Sequence, residues 1–526
     1  MKKILSLFLC LCMLLSLGSI AFAAESSQTE SVSPSFFDVS AANEETDTVN
    51  YVALGDSTAM GYYMNDYSDS HPRNTNDKNI SSIYSEYAQF KSYLEDTGKQ
   101  VNATDLTLPG MRPAELRAIL DSNYYHSAIE EKQEDSNAQK YLGWYYDYYD
   151  SYFNIHNTFT DAIETADVIT CDMLSGDFGL YFTDRLSELL SDGFQDSDYQ
   201  SEYEALMRRE GYPALAGSVA ALRNSLSTIL TEMGLADNEL VDTFDTLVDL
   251  LLYCYAHCVI NFSKTMDLIY GLKKDVNLII VGPYNPLTRL VGTYHGIEIS
   301  IGKLWDCLSE AITAYVVKVD PHADQYCFAD CSAGVNSFID DFAEGHFLDD
   351  EYDSYRNMFF FYTGIDPNKF ASPTDRIQFN QNMQEICNMP VEVENLLTVF
   401  SLKPEELQIE YQKAALANTT YNGIAYGESF AISKIALLYS LVTQARSCGY
   451  HPGASGNQQK AHYIIKAYER GDTADNAYCI RVADLAKTLA VNYIGSVLGC
   501  ETSRETLQTV LTHLFTPMIR INILNL

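Results

Sequence analysis

Positive charge is scarce in this chain of 526 residues: 34 lysines and arginines stand against 71 aspartates and glutamates, a formal net charge of -37. A surface of that sign repels phosphate backbones and anionic membranes, which excludes nucleic acid as a partner. Long apolar runs are also lacking. Past the first twenty or so residues none reaches the roughly 18 unbroken apolar positions that a membrane span needs. There is no internal repeat and no low-complexity stalk, so a structural or adhesion role has no support. No C-x-x-C pair occurs either. Cys254 and Cys258, and Cys327 and Cys331, are each separated by three residues, and His257 lies beside the first pair. A structural zinc site takes its cysteines from tighter pairs in loops, and Cys254 and Cys258 fall inside a helical pattern, so no metal is expected.

What is present begins with an export signal. Lys2 and Lys3 precede an apolar run from Ile4 to about Ile20 that ends in Ala21-Phe22-Ala23, the pattern of a secretory signal peptide spanning residues 1–23. Cys10 and Cys12 do not sit at the end of that run, so no lipid anchor and no stable membrane attachment are expected. Residues 24–49, rich in Ser, Thr, Glu and Asp, lack periodicity and read as a flexible leader. Removing the signal peptide's two lysines moves the charge to about -39, a value suited to solubility outside the cell. Ten of the twelve cysteines remain after cleavage, an even number compatible with disulfides there. A dense aromatic stretch, Trp144-Tyr145-Tyr146-Asp147-Tyr148-Tyr149, suits either amphipathic packing or a substrate rim.

With 47% hydrophobic residues, positions 50–526 can build a large core. Short β-branched runs predict buried strands at Asn50–Leu54, Asp105–Leu108, Asp167–Met173, Val276–Val281 and Ala314–Val319, with helical patterns between them. That alternation predicts an α/β protein with a parallel sheet covered on both faces, a three-layer α/β/α core. Residues of about 180–272 and 335–440 exceed what such a core needs and read as helical insertions that could wall a pocket. Helices are expected near 454–469, 474–498 and 502–514.

Four strings carry chemistry, and a fifth, after the fourth apolar strand, accompanies them. The first strand runs into Tyr51-Val52-Ala53-Leu54-Gly55-Asp56-Ser57, placing a serine at the carboxyl edge of the sheet. If a helix followed directly, its amino end would favour an oxyanion at Ser57; the alternative is a helix cap made by Asp56 or Ser57. Asp105-Leu106-Thr107-Leu108-Pro109-Gly110-Met111-Arg112 leads into a helix starting at Pro113. A third string, Asp167 to Gly179, contains Leu174-Ser175-Gly176-Asp177, and Val276 to Pro286 ends in Gly282-Pro283-Tyr284-Asn285-Pro286. The last is Cys448-Gly449-Tyr450-His451-Pro452-Gly453-Ala454-Ser455-Gly456.

In this order the strings resemble the blocks of the SGNH hydrolases, also called GDSL lipases and esterases. The resemblance covers about half the chain and implies the family's flavodoxin-like parallel sheet. It implies Ser57 as nucleophile, His451 as base, and an oxyanion hole made by the amides of Ser57 and Gly110, with Gly176 a further candidate. No metal or cofactor is implied. Two departures stand out. The family's oxyanion asparagine is replaced by Gly176, with Leu174 where a glycine is expected, and the acid three residues before the histidine is replaced by Cys448. Ser175 or an insertion residue could supply the lost donor. A Ser-His dyad, with the imidazole held by a backbone carbonyl, meets the second departure. The expected activity is hydrolysis of carboxylic esters of small molecules, glycans or lipids. The alternative is a catalytically weakened member that binds an extracellular glycan or lipid.

Overall fold

The computed structural model describes residues 48–62, 82–126, 136–177, 198–212, 239–286, 320–332 and 451–471, with shorter stretches between them. The signal peptide, the leader up to residue 47, most of the second insertion, Cys448 and the helices expected beyond residue 471 lie outside the described residues.

Five parallel strands form the sheet: β1 (Thr48–Gly55), β2 (Gln100–Asp105), β3 (Val168–Asp172), β4 (Asn277–Val281) and β5 (Cys327–Ala329). Their spatial order is β2-β1-β3-β4-β5, so the winding reverses between β1 and β3, the kind of position beside which open α/β sheets commonly bind ligands. The order is that of a doubly wound α/β sheet. β3 is buried at every position, which accounts for its unbroken apolar run Val168-Ile169-Thr170-Cys171.

Helices cover the sheet on both sides. α1 (Glu86–Asp96) and α7 (Ala454–Arg470) pack together over the side of β1 that carries Val49, Tyr51 and Ala53. There Tyr51 stacks 5.6 Å from Tyr87 and meets Phe90 edge-on at 5.2 Å. Each such buried ring contributes about 1.5–3 kcal/mol. Successive strand residues face opposite ways, so Val52 and Leu54 face the second layer. That layer contains α2 (Pro113–Leu120), α3 (Ser136–Tyr149), α4 (Tyr152–Thr165), α5 (Tyr199–Glu210) and the 34-residue α6 (Glu239–Leu272). α5 and α6 fall in the first expected insertion, and α6 packs on α2, bringing that insertion against the core.

Two expected strands need correction. The second strand is Gln100–Asp105, not Asp105–Leu108. It lies at the sheet edge, its residues alternate between exposed and half-buried, and so it lacks an apolar signature. The apolar residues follow it as an extended segment still bonded to β1, with Leu106 N to Ala53 O and Leu108 N to Gly55 O both at 2.9 Å. The segment expected at Ala314–Val319 is helical at residues 315–317, and the fifth strand is Cys327–Ala329. Tyr315, Val316 and Val317 are buried in either conformation, and a short apolar run does not separate the two. The cysteines Cys171, Cys254, Cys258, Cys327 and Cys331 are buried and form no disulfide. No described helix is long and apolar enough to cross a membrane.

Candidate active site

The turn after β1 is held at both ends. Asp56 N donates to Asp172 O at the end of β3 (2.9 Å), while Asp56 Oδ1 accepts from Thr58 N and shares a hydrogen bond with Thr58 Oγ1, each at 2.7 Å. Gly55 is required by the close approach of the two strands, since a Cβ there would lie 2.7 Å from Asp172 O. Asp56 and Thr58 are buried and Ser57 between them is half-buried. No helix follows Ser57 directly: residues 57–62 form a compact turn, closed by Tyr62 N to Ser57 O at 3.1 Å, with Gly61 at φ +65°. Ser57 therefore does not sit at the amino end of a helix.

Gly110 lies on the neighbouring turn. Met111 N donates to Leu108 O (3.1 Å), Pro109 occupies the second position and Gly110 the third with φ +74°, the signature of a type II turn that needs glycine. Buried Tyr145 of α3 supports it by donating to Pro109 O at 3.2 Å, which assigns a packing role to part of the aromatic stretch. Among the described residues neither the Ser57 N–H nor the Gly110 N–H has a hydrogen-bond partner. Unengaged backbone donors in a folded interior are rare and are available to a ligand oxygen. The Gly176 N–H is used, donating to Met173 O at 3.4 Å.

Gly176 follows β3 and abuts the Gly110 turn. A Cβ on it would fall 2.7 Å from Arg112 Cγ and 3.3 Å from Met111 O. Arg112 therefore fills the space into which a side chain at position 176 would project. Its guanidinium is fully buried, bonded through Nε to Glu115 Oε2 (3.1 Å) and through Nη1 to Asp177 Oδ1 (3.3 Å). Asp177 Oδ1 is also 3.1 Å from His257 Nδ1 on α6. His257 thus belongs to this network behind the turns. Ser175 Oγ is buried and makes no hydrogen bond.

His451 is buried, and its ring lies 5.5 Å from that of Tyr62, the residue that closes the Ser57 turn. Pro452 and Gly453 then lead into α7, where Gly456 packs so closely that a Cβ would meet Asn336 O at 2.1 Å. The fold thus brings Ser57, Gly110, Gly176 and His451 to one end of the sheet. Ser57 Oγ makes no hydrogen bond among the described residues. Asn285 is buried just beyond β4.

Beneath the serine turn lies a charge cluster that motif reading missed: Asp56, Glu86, Asp172 and Lys460, joined through Thr58. Lys460 Nζ lies 2.7 Å from Glu86 Oε2, donates to Thr58 Oγ1 at 3.1 Å and contacts Asp172 Oδ2. Burial, reinforced by the charge of Asp172, pushes the Asp56 carboxyl up to about 7. Burial likewise pushes Glu86 up to about 8, against the pull of Lys460. Burial alone would lower the Lys460 ammonium, but Asp172 and Glu86 outweigh it and hold the cation well above its usual range. Proton counting agrees. Thr58 Oγ1 has one hydrogen yet lies 2.7 Å from both Asp56 Oδ1 and Asp172 Oδ2, so one contact takes its proton from a carboxyl. Asp56, which forms no ion pair with Lys460, is the natural holder. The only sequence signal was a lysine at a helix position that proved to be interior.

No protein-family model matches the chain, and no curated protein matches it. Among solved structures, the lipase Lip_vut3 from a goat rumen metagenome aligns with 14% identity and a TM-score of 0.27. The alignment covers 54% of this chain and 81% of that one, and a superposition so loose carries no argument.

Proposed function

We propose that this chain is an exported serine hydrolase of the SGNH type, cleaving carboxylic esters through an acyl-enzyme on Ser57. The observation that carries the reading is the pair of unengaged N–H groups, Ser57 and Gly110, on adjacent turns beside the sheet's switch point. His451 takes the proton from Ser57 Oγ as the oxygen attacks the ester carbonyl. The two N–H groups receive the developing oxyanion, a contribution of about 2.7–4 kcal/mol for one donor in comparable sites. His451 then gives its proton to the departing alkoxide, and water, activated by the same imidazole, releases the acid. No step calls for a metal or organic cofactor. The amino-terminal apolar segment ending in Ala21-Phe22-Ala23 supports export, and the acidic surface supports an uncharged or cationic ester over a polyanion.

A second reading, a weakened member that binds a glycan or lipid ester without turnover, is favoured by one observation: position 176 offers no side-chain donor and has no room for one. Labelling the purified protein with a fluorophosphonate separates the two. The hydrolase reading expects covalent labelling that disappears in Ser57→Ala. Equal behaviour of wild type and Ser57→Ala sinks it.

A further inference from the structure

We propose that Lys460 is a positioning residue for this reaction: its ammonium ties the helix that follows His451 to the turn that carries Ser57, and so sets their approach. The inference rests on the serine-hydrolase reading above. Ser57 and His451 are almost four hundred residues apart, and no hydrogen bond joins their side chains. Apolar packing holds α7 over β1, but only a directional contact can set its position along the sheet closely. Lys460 sits on α7, nine residues after His451 and fully buried.

Its contacts come from four separate elements. Thr58 Oγ1, at 3.1 Å, belongs to the serine turn itself, one residue beyond the nucleophile. Glu86 Oε2, at 2.7 Å, opens α1, and Asp172 Oδ2 ends β3 on the other side of the switch point. The Tyr284 ring, 5.4 Å from Nζ, belongs to the loop after β4. The other charged or titratable groups interacting with this cluster include Asp56, Tyr51 and the Cys171 and Cys331 thiols. A fully buried ammonium is a poor device for stability alone, because an apolar side chain of the same volume avoids its dehydration. As a crosslink it is specific. A sliding or tilting α7 would pull Nζ from three oxygens at once, and the same movement would carry His451 away from Ser57. Misplacement of a reacting group by about 1 Å can cost a hundredfold in rate.

The test measures the second-order rate of fluorophosphonate labelling between pH 6 and 9. It compares the full chain with Lys460→Met and with the charge-balanced pair Lys460→Met/Asp172→Asn, which removes the ammonium together with the carboxylate it contacts, each also made in a His451→Gln background. Circular dichroism and urea unfolding report the fold. Lys460→Met is expected to label about 10–100-fold more slowly. The balanced pair should be as slow while unfolding at the wild-type urea concentration, and it decides the matter if the single variant does not fold. In the His451→Gln background, removing Lys460 should change nothing further, since there is no base left to position. Wild-type labelling rates in the balanced pair, or the same fold-loss with His451 absent, would overturn the proposal and leave Lys460 a structural residue. Labelling that persists in Ser57→Ala would instead refute the hydrolase reading on which it rests.

Discussion

Position 176 offers a sharp test, because the resemblance and the structure point opposite ways. By family pattern an asparagine there should restore a missing oxyanion donor and speed the enzyme. By geometry it cannot be accommodated. The first atom of any side chain would fall 2.7 Å from Arg112 Cγ, inside van der Waals contact, and 3.3 Å from Met111 O. Arg112 has little freedom to yield, since its guanidinium is held by Glu115 and Asp177, and Asp177 is held in turn by His257. Overpacking a tight interior costs about 1–3 kcal/mol. Should Arg112 be forced off Asp177, breaking that buried pair would raise the cost to about 3–5 kcal/mol. Gly176→Ala is therefore expected to destabilise by about 1–3 kcal/mol, and Gly176→Asn by about 3 kcal/mol or more. Neither should label faster with a fluorophosphonate. Urea midpoints and labelling rates of the two variants supply both readouts. A Gly176→Asn protein as stable as wild type and labelled tenfold faster would refute the claim that Arg112 occupies the donor's place.

Two further outcomes follow from the same geometry. Gly110→Ala forces a side chain into the left-handed region at φ +74°, a strain of about 1–2 kcal/mol. If the peptide rotates to relieve it, the lost N–H should lower kcat for ester hydrolysis by about a hundredfold or more, whereas unchanged turnover would remove Gly110 from the oxyanion hole. The fold should also depend on pH in the sense opposite to that of ordinary ion-paired carboxylates. Asp56 and Glu86 are raised, chiefly by burial, from 3.8 to about 7 and from 4.5 to about 8, so between those values the folded chain holds protons that the unfolded chain releases. Their contribution is complete below their unfolded values and is lost as pH rises through about 7 and then about 8. Urea midpoints should accordingly fall between pH 5 and 8, and Asp56→Asn should make that fall shallower. A slope unaffected by the substitution would show that Asp56 is ionised throughout.

Much of the central sheet was legible because its strands are buried on both faces and so stand out as apolar runs, as Val168-Ile169-Thr170-Cys171 and Leu278-Ile279-Ile280-Val281 do. β2 was misplaced because an edge strand needs no such run, and Ala314–Val319 because a buried run of that length suits a helix equally well. The glycines at 55 and 110 announced close approaches and turns, since no other residue supplies their geometry without strain. Whether a helix followed Ser57 directly was left open by the sequence, and none does. Local spacing could not reveal that hydrogen bonds within residues 57–62, and from Asp56 to the end of β3, close the chain into a turn instead.

The sequence by itself determined the candidates at this site and their order along an α/β chain, because residue type and local turn chemistry are properties of short segments. Only the tertiary structure decided what surrounds them. It placed Arg112 where a side chain at 176 would go, set His257 on Asp177, left the Ser57 and Gly110 N–H groups unengaged, and put Lys460 beneath the serine turn. Each of these depends on contacts between segments tens to hundreds of residues apart, and such contacts leave no periodic trace in either segment. Burial then turns an ordinary lysine into one partner of a charge cluster and makes the ionisations of Asp56, Glu86 and Lys460 depend on their neighbours, because removing water strengthens those interactions.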